Sequence, residues 1–573
     1  MTYIHYLKNI LNKAEKIKLI FIAFLMILNA MLELLSVGIL LPLITILFEQ
    51  DSSFLSVNYF QFLNTIDHTK LIYIFLIGIA FIFLAKNLFL IFYNYQQGLF
   101  IKNLQIRVLS DLYKKYIFQK YSFFLQKGKD IGSILRNINI ARIVSLCITS
   151  YLVLALEIII IILLISYLLY LSWLPTIIIT LIFSIFIWLL YASTKKKLYE
   201  WGESKQDVDA KISQQIIQTF NLIKNIKIFN KEKKMNYFFN KLLNRFESLN
   251  LKIDIVQQIP RGLVEVLCVF SICFLIFIFI VTGKSTIEIL KLTAIYAVVT
   301  IRLVPSSTRI ITAIQRIRTY APSLILIKDE YLNNDISEPD KLENKISKIN
   351  FEKIEFNNVN FGYEDNKNIL TDIDLVINRG EIIGFYGESG SGKSTLINLI
   401  SGLIKPKSGK IKINGFDLEN IKKNWLSILG YVPQQVTLFN DTIANNISFF
   451  EDNSDKKKLS DNIYKSLDQS NLKDFILTLP NKEETIVGEN AAKLSGGQIQ
   501  RIGISRALFK DPQFLIFDES TNSLDDKTEN EIIQFVFSLK KLKTVIIISH
   551  DQKILKDCDK IFEVKNNIIN QIK

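Results

Sequence analysis

Long apolar segments dominate the first half of the sequence and restrict its fold more than any other feature. A helix that crosses the hydrocarbon core of a bilayer needs about 20 predominantly apolar residues. Six segments meet this length, at residues 18–48, 71–95, 143–171, 174–192, 263–282 and 287–306. The third and fourth must be separate, because one helix of their joint length would overshoot the membrane, and Pro175 suits the first turn of a new helix. The sequence therefore predicts a multi-pass α-helical domain with six transmembrane helices.

The connections between these segments differ in charge. Residues 96–142 contain nine Lys and Arg residues against two acids, and residues 193–262 are long, charged and helical in pattern. The connections 49–70 and 283–286 are short and have little positive charge. Cytoplasmic loops are enriched in Lys and Arg, so both termini and both long loops are expected in the cytoplasm, on helices that continue beyond the bilayer. The aromatic segment 49–70 is either an amphipathic helix on the outer face or a packed loop.

Composition limits the possible partners. The net charge is +14, but the basic residues flank the apolar segments, so we expect no nucleic-acid partner. Four scattered cysteines have no metal-ligand spacing and form no disulfide framework.

A polar segment at 328–350 separates two parts of different pattern. Residues 1–327 form the expected transmembrane domain, with its two long cytoplasmic loops. From Phe351 to Lys573, short β-rich segments alternate with helices between Gly, Pro and Asn residues. That alternation predicts an α/β domain with a largely parallel sheet.

A glycine-rich loop follows the apolar strand 382–386 and precedes an apolar helix. Its residues are Gly387, Glu388, Ser389, Gly390, Ser391, Gly392, Lys393 and Ser394. This is a P-loop sequence in the strand–loop–helix context that it requires, and it predicts a phosphate cradle made of backbone N–H groups and a helix N-terminus. Lys393 is expected to reach the β/γ-phosphates, Ser394 to ligate Mg²⁺, and Thr395 to border the nucleotide.

A second apolar strand, 514–518, ends in two carboxylates. Downstream of a P-loop, this pattern predicts that Asp518 holds Mg²⁺ and that Glu519 polarises the attacking water as general base.

The segment Leu494-Ser495-Gly496-Gly497-Gln498 resembles the signature of ABC ATPases, and the resemblance covers residues 351–573. It implies that Ser495, Gly496, Gly497 and Gln498 contact ATP. It further implies that Tyr363 stacks on adenine, that Gln434 contacts Mg²⁺ and the attacking water, that Asp525 lies in the D-loop, and that His550 contacts the γ-phosphate. ATP and Mg²⁺ are therefore the expected cofactors, and the chain is expected to be an ATP hydrolase coupled to transmembrane transport.

Two departures from the family pattern leave these groups intact. The segment after the second strand reads Ser520-Thr521-Asn522-Ser523 where exporters commonly have Ala-Thr-Ser-Ala, and Asp551 follows His550 in place of the usual Arg. The family places ATP between the P-loop of one domain and the signature of another. Since this chain has one complete copy of each, it is expected to pair, as a homodimer or with a related chain, and the intact set favours the homodimer.

Cations inside the predicted spans suggest the substrate. Lys86 and Arg302 lie about 22 Å from the outer ends of their spans at 1.5 Å per residue, and Arg309 follows Arg302 by one heptad. With Arg261, which follows Pro260 at the start of the fifth span, they form a candidate substrate cavity for phosphate or pyrophosphate on a lipid. The alternative is structural: the arginines snorkel or pair with acids, and Lys86 pairs with Glu33, Glu157 or Glu265.

Several membrane segments resemble flippases of the PglK type, which serve bacterial protein N-glycosylation. These are residues 302–312, Glu33 with the later segment 41–45, residues 259–261 and the aromatic external segment. The resemblance implies flipping of a lipid-linked, polyprenyl-pyrophosphate oligosaccharide from the inner to the outer leaflet of a bacterial inner membrane. Lys86 stands where that family tends to have Arg. Other interpretations are an exporter of peptides, lipid A-like lipids or drugs, and a non-transporting ATP switch, against which the complete hydrolytic set argues.

Overall fold

The computed structural model describes residues 10–40, 42–44, 68–125, 131–332, 349–363, 367–451, 455–488, 494–520 and 526–573. Most of the external segment 49–70 and the D-loop residue Asp525 lie outside these ranges. The chain divides into two compact units, Met1–Gln119 with Phe123–Pro339, and Lys120–Ser122 with Asp340–Lys573. The main boundary, after Pro339, falls inside the segment 328–350 that the sequence predicts as a linker.

The part before the linker is helical. Its helices are α1 (Lys13–Gly38), α2 (His68–Ile117), α3 (Tyr121–Phe124), α4 (Ile131–Leu171), α5 (Trp173–Asn221), α6 (Ile223–Ile228), α7 (Glu232–Val281) and α8 (Thr286–Leu332). Five of them have 41 to 50 residues. At 1.5 Å per residue they are about 60–75 Å long, roughly twice the thickness of the hydrocarbon core. The two long charged connections are therefore helical extensions of the apolar segments, as expected.

The break between α4 and α5 lies at the predicted position. Ser172 has an extended backbone with φ −159°, and Pro175 occupies the first turn of α5. Thr176 Oγ1 donates a hydrogen bond to Ser172 O at 2.6 Å. Because proline has no N–H to donate and its φ suits a helix start, the new helix begins here at little cost.

Five helices among the described residues are long and apolar enough to cross a membrane, namely α1, α2, α4, α5 and α7. They coincide with the first five predicted spans, of which residues 41 and 45–48 of the first lie outside the described part of the chain. The sixth predicted span lies in α8, which is similarly long but includes Glu288, Lys291 and Arg302 within that span. Helix α8 packs against α4, α5 and α7, and of these three residues Glu288 is exposed, Arg302 is partly buried and Lys291 is buried.

The second unit contains two sheets and short helices. Its strands are β1 (Lys353–Phe361), β2 (Leu370–Asn378), β3 (Ile382–Tyr386), β4 (Ser408–Ile413), β5 (Phe416–Asp417), β6 (Leu429–Val432), β7 (Phe514–Asp518), β8 (Thr544–Ser549), β9 (Lys560–Lys565) and β10 (Ile568–Gln571). Its helices are α9 (Lys393–Ile400), α10 (Leu418–Ile428), α11 (Ile443–Ser448), α12 (Lys456–Gln469), α13 (Lys473–Thr478), α14 (Gly496–Leu508), α15 (Asp526–Ser538) and α16 (Gln552–Leu555).

The larger sheet has the strand order β10-β9-β3-β8-β7-β6, and all of its pairings are parallel except β10 with β9. The smaller sheet, β2-β1-β4-β5, is antiparallel. An α/β domain with a largely parallel sheet is thus confirmed. Strands β3, β7 and β8 are almost wholly buried, which explains their uninterrupted apolar sequences.

Three aromatic rings join the two sheets of this domain. Trp425 on α10 lies 5.7 Å from the ring of Phe351 and 5.0 Å from that of Phe514, and the Phe351 and Phe514 rings are 5.1 Å apart. All three residues are fully buried. The indole N–H of Trp425 donates to Ile400 O at 2.9 Å, so the cluster also fixes the C-terminal end of α9.

We predict that Trp425→Ala destabilises this domain by about 3–5 kcal/mol, because it removes a buried aromatic side chain and leaves a cavity. For a domain of this size the calorimetric melting temperature should fall by about 6 °C or more. The control is Phe416→Ala, whose side chain is exposed and whose loss should change little. Equal melting temperatures for the two variants would contradict the structural role of this cluster.

Candidate nucleotide and substrate sites

The parallel register brings the predicted nucleotide residues to one edge of the sheet. Tyr386 at the end of β3 pairs with Ser549 on β8, and Asp518 on β7 pairs with Ile548. The residues that follow these strands, Gly387, Glu519 and His550, therefore lie side by side. In open α/β sheets, ligands bind at the carboxyl ends of the strands.

The P-loop depends on glycine at two positions. Gly390 has φ +84° and Gly392 has φ +110°, both in the left-handed region that side-chain-bearing residues rarely adopt. This backbone leads into α9, whose first residue is Lys393. The ammonium of Lys393 donates to Gly387 O at 2.6 Å and Glu388 O at 2.9 Å, and it lies 3.6 Å from Glu519 Oε1. The lysine is therefore held between the loop and the catalytic carboxylate predicted for β7.

One hydroxyl of this loop has no protein partner. Ser391 Oγ is buried, and no hydrogen bond to it is found within the part of the chain that the structure describes. Ser394, in the first turn of α9, is exposed, whereas Thr395 is buried. The donor set fits a phosphate group, since it combines an unsatisfied hydroxyl, a lysine and the N-terminal amides of a helix. Ser394 and Asp518 offer the oxygen ligands that Mg²⁺ prefers.

The two carboxylates after β7 have separate hydrogen-bond partners. Asp518 Oδ2 accepts a hydrogen bond from the Tyr431 hydroxyl at 3.1 Å, and Glu519 Oε2 accepts one from the Gln434 amide at 2.8 Å. Glu519 has a left-handed backbone with φ +43°, and its N–H donates to Ile548 O at 3.0 Å. Burial raises the pKa of Asp518, and the neighbouring Glu519 carboxylate raises it further.

Tyr431 is a functional candidate that the sequence analysis did not select. It lies on β6, next to β7, and burial followed by the charge of Asp518 raises the pKa of its phenol. The signal was available in the sequence, because Tyr431 precedes Gln434 near the carboxyl end of a short strand. The structure adds its direct contact with Asp518.

The predicted adenine contact lies close to the P-loop helix. The Tyr363 hydroxyl is 3.3 Å from Thr395 Oγ1, and its ring packs edge-on against Phe361 with centroids 5.1 Å apart. Tyr363 remains about half exposed, so one part of its ring is accessible for stacking. His550 is also exposed, directly after β8.

The signature segment begins a 13-residue helix. Ser495 Oγ accepts a hydrogen bond from the Gln498 N–H at 3.3 Å, and Gln498 Oε1 accepts one from the Ser495 N–H at 2.9 Å. Gln498 therefore closes a capping box, a role that sequence analysis did not assign to it. A side chain on Gly503 would come within 2.4 Å of Val436, so α14 packs closely on the segment that follows Gln434.

In the helical unit, two predicted substrate cations meet at one acid. Glu33 Oε1 on α1 lies 3.2 Å from Lys86 Nζ on α2 and 2.6 Å from Arg302 Nε on α8. The Glu33 side chain is only 6% exposed. Lys86 therefore pairs with Glu33, one of the three acids expected as its partner, and Arg302 shares that acid.

The other two cations have different partners. Arg309 Nε lies 3.0 Å from Glu157 Oε1 on α4, and the Glu157 side chain is 2% exposed. Arg261 pairs with Glu265 one turn further along α7, but both side chains are largely exposed, at 80% and 55%. The structure thus places Lys86, Arg302 and Arg309 on buried acids, whereas Arg261 forms a surface pair on its own helix.

A separate cavity of about 110 Å³ lies among α4, α5, α7 and α8. It is mainly apolar, and its α8 lining consists of Tyr296, Thr300, Leu303 and Ser307. At 100° per residue these four share one face of α8, and Arg302 and Arg309 lie on the opposite face. None of the four predicted cations lines this cavity, so it is not the cation-lined site that the sequence predicts.

Comparison with known proteins gives matches to both units. The model of the ABC transporter transmembrane region matches residues 19–304, and that of the ABC transporter domain matches residues 370–522. A solved structure described as a bacterial Atm1-family ABC exporter with ATP bound superposes with a TM-score of 0.78 at 20% identity, covering 98% of this chain and 96% of that one. At this identity the superposition establishes the fold.

Curated relatives agree with this family. An ATP-dependent lipid A-core flippase of Photorhabdus laumondii is 30% identical over 70% of this chain and 68% of its own length. A protein of the same name from Syntrophus aciditrophicus is 39% identical, over 38% of this chain. The chain spans 36% of the length of that Syntrophus protein, and 19% of the length of an ABC transporter B family member of Arabidopsis thaliana to which it is 36% identical. The chain belongs to the ABC transporter family, as a half-transporter of the exporter type with one transmembrane region and one ATP-binding domain.

Proposed function

We propose that two copies of this chain form an ATP-hydrolysing exporter that moves a lipid with a phosphate-bearing headgroup from the inner to the outer leaflet of a bacterial inner membrane. The finer proposal for the substrate is a polyprenyl-pyrophosphate-linked oligosaccharide. The observation that supports it is the cluster of Lys86 and Arg302 around the buried Glu33, with Arg309 one heptad away. The ATP-binding domain and both termini are cytoplasmic in this proposal.

Hydrolysis follows from the groups that meet at the edge of the sheet. Lys393 and Ser391 bind phosphate oxygens, and Ser394 and Asp518 hold Mg²⁺, which neutralises charge on the β- and γ-phosphates when bound. Glu519 polarises the attacking water, and its hydrogen bond with Gln434 orients the carboxylate. The Tyr431 hydroxyl donates a hydrogen bond to Asp518 and thereby fixes the second carboxylate of the site. His550 contacts the γ-phosphate from the end of β8.

Pairing of two copies completes each nucleotide site. The P-loop edge of one copy faces the exposed N-terminus of α14 in the other, where Gly496 and Gly497 present backbone N–H groups, and Ser495 its hydroxyl, to the γ-phosphate. The capping box uses the backbone N–H groups of Ser495 and Gln498 and fixes both residues at this N-terminus. The D-loop residue Asp525 lies outside the described part of the chain, and its place at this interface stays a prediction.

Headgroup binding uses the guanidinium groups of α8. Arg302 and Arg309 each have several N–H donors in a planar fork, which matches two oxygens of one phosphoryl group. Their seven-residue spacing separates them by about 10.5 Å along one helix face, so an extended anionic headgroup is able to contact both. Lys86 contributes a point charge beside Arg302. Arg261, exposed at the start of the fifth span, is proposed as a first contact for the headgroup.

A lipid A-like glycolipid is the second candidate substrate. The names of several relatives favour it, and a phosphorylated glycolipid presents similar chemistry to Arg302 and Arg309.

The experiment that separates the candidates is substrate-stimulated ATPase activity in liposomes, with a polyprenyl-pyrophosphate oligosaccharide, a phosphorylated lipid A, an apolar drug and a peptide. We expect stimulation by the first, and stimulation by only the drug or the peptide would contradict the proposal.

The base role of Glu519 makes a direct prediction. Glu519→Gln keeps the hydrogen-bonding shape but removes the charge, so turnover should fall about 10²–10⁴-fold while ATP still binds. ATPase rate and the affinity for a fluorescent ATP analogue measure the two effects. Glu451→Gln, at an exposed pair with Lys510, is the matched control and should hydrolyse normally. Near-normal turnover in Glu519→Gln would remove this residue from the base role.

The headgroup contacts make a second prediction. Arg302→Ala and Arg309→Ala should each lose about 1.5–3 kcal/mol of charge-assisted hydrogen bonding, or about ten- to a hundredfold in substrate affinity. Transport of the lipid-linked glycan should fall while basal ATPase activity persists, because the nucleotide site belongs to the other unit. Both are measured in the same liposomes.

The exposed Arg245→Ala on α7 serves as the control for these two variants and should change neither activity. If Arg302→Ala and Arg309→Ala lower transport and basal ATPase in parallel, the arginines are structural and headgroup binding is wrong.

A further inference from the structure

Glu33 lies between Lys86 and Arg302, where an anionic ligand of these two cations would lie. Its Oε1 atom lies within 3.2 Å of Lys86 Nζ and 2.6 Å of Arg302 Nε, and its side chain is almost completely buried. These distances are those of charge-assisted contacts between an ammonium or guanidinium group and a phosphate or carboxylate oxygen. A carboxylate oxygen of the chain itself thus takes the place that an oxygen of an anionic ligand would take.

The two contacts of Glu33 are not equivalent. Lys86 Nζ makes a hydrogen bond to Glu33 Oε1. Arg302 Nε is close to the same oxygen but is not aligned for a hydrogen bond, and this buried N–H finds no other acceptor among the residues described. A buried donor without an acceptor is costly. Of the two cations, Arg302 is therefore the one whose bonding is incomplete.

Charge balance indicates the same conclusion. One carboxylate faces two cations, so the cluster has one positive charge in excess within a mostly apolar region. One heptad later, the largely exposed Arg309 pairs with the buried Glu157, whose second carboxylate oxygen lacks a hydrogen-bond partner in the described ranges. A buried ion is tolerated only with a counter-charge, so the buried acids Glu33 and Glu157 are each held against an arginine of α8.

We infer that Glu33 is an internal counter-ion that an anionic headgroup must displace from Arg302, while Lys86 retains Glu33. This rests on the proposed function, because it requires Arg302 to bind the headgroup. A monophosphate has one phosphoryl group and a charge of about −1.5 to −2, so it gains less than a diphosphate does by replacing the carboxylate. A diphosphate has more charge and more acceptor oxygens, so it completes the guanidinium's hydrogen bonds and displaces Glu33. Glu33 thereby selects headgroups of high charge, and bulk phospholipids are rejected.

The experiment uses the full-length protein in nanodiscs and two probes with one polyprenyl chain, its diphosphate and its monophosphate. The wild type should bind the diphosphate at least tenfold more tightly than the monophosphate. Glu33→Gln should tighten monophosphate binding about tenfold or more and change diphosphate binding less, so that the preference largely disappears. Glu200→Gln, at an exposed pair with Lys196 on α5, is the matched control and should keep the wild-type preference.

A double variant distinguishes displacement of Glu33 from a change in the net charge of the cluster. It also avoids leaving both Lys86 and Arg302 without a counter-ion. Lys86→Gln with Glu33→Gln restores the wild-type net charge but leaves Arg302 unopposed. The inference predicts that the preference stays lost in this variant, whereas an effect of net charge alone predicts that it returns, which would overturn the inference. If Glu33→Gln does not assemble, the same affinity ratio in the double variant decides.

Failure of the inference and failure of the proposed function give different results. Wild-type preference for the diphosphate, unchanged in both Glu33 variants, would overturn the role of Glu33 and leave headgroup binding in place. Absence of binding of either probe to the wild-type protein would overturn both.

Discussion

The helical unit depends on the pairing of ionised side chains inside an apolar set of helices. A buried charge without a counter-charge costs several kcal/mol, and the buried acids Glu33 and Glu157 avoid this cost by pairing with Lys86, Arg302 and the largely exposed Arg309 across four different helices. Replacing such pairs by apolar residues is often neutral or stabilising. Since stability alone does not require them, their place on helices that pack together favours a role in binding an anion.

The ATP-binding domain depends instead on the precise placement of charged side chains at one edge of its larger sheet. Parallel strands β3, β7 and β8 end in register, and the segments that follow them place the P-loop, the proposed catalytic carboxylate Glu519 and the proposed switch histidine His550 at one edge. The aromatic cluster of Trp425, Phe351 and Phe514 anchors the opposite end of β7. The strands thereby position a site that is built from long side chains with several rotatable bonds, such as Lys393 and Gln434.

Much of this arrangement could be predicted from the sequence, because its signals are local. Apolar segment length identified the membrane helices, and the strand–loop–helix pattern located the P-loop. Hydropathy detects only the apolar part of a helix such as α2, but the charged, helical pattern of the long connections predicted extensions beyond the bilayer, and α2 continues to Ile117. The pairing of Glu33 with Arg302 and the contact of Tyr431 with Asp518 join distant segments, and no local pattern specifies such tertiary neighbours.

Selection of the diphosphate headgroup is the central proposal, and it links the cations of the helical unit to the lipid proposed as substrate. The most direct measurement is ATP-dependent appearance at the outer leaflet of two glycolipids with the same glycan and polyprenyl chain, one joined by a diphosphate and one by a neutral linkage. Liposomes with the wild-type chain should flip the diphosphate lipid and leave the neutral lipid in the inner leaflet. Equal transport of both lipids would contradict the claim that Lys86, Arg302 and Arg309 recognise the headgroup.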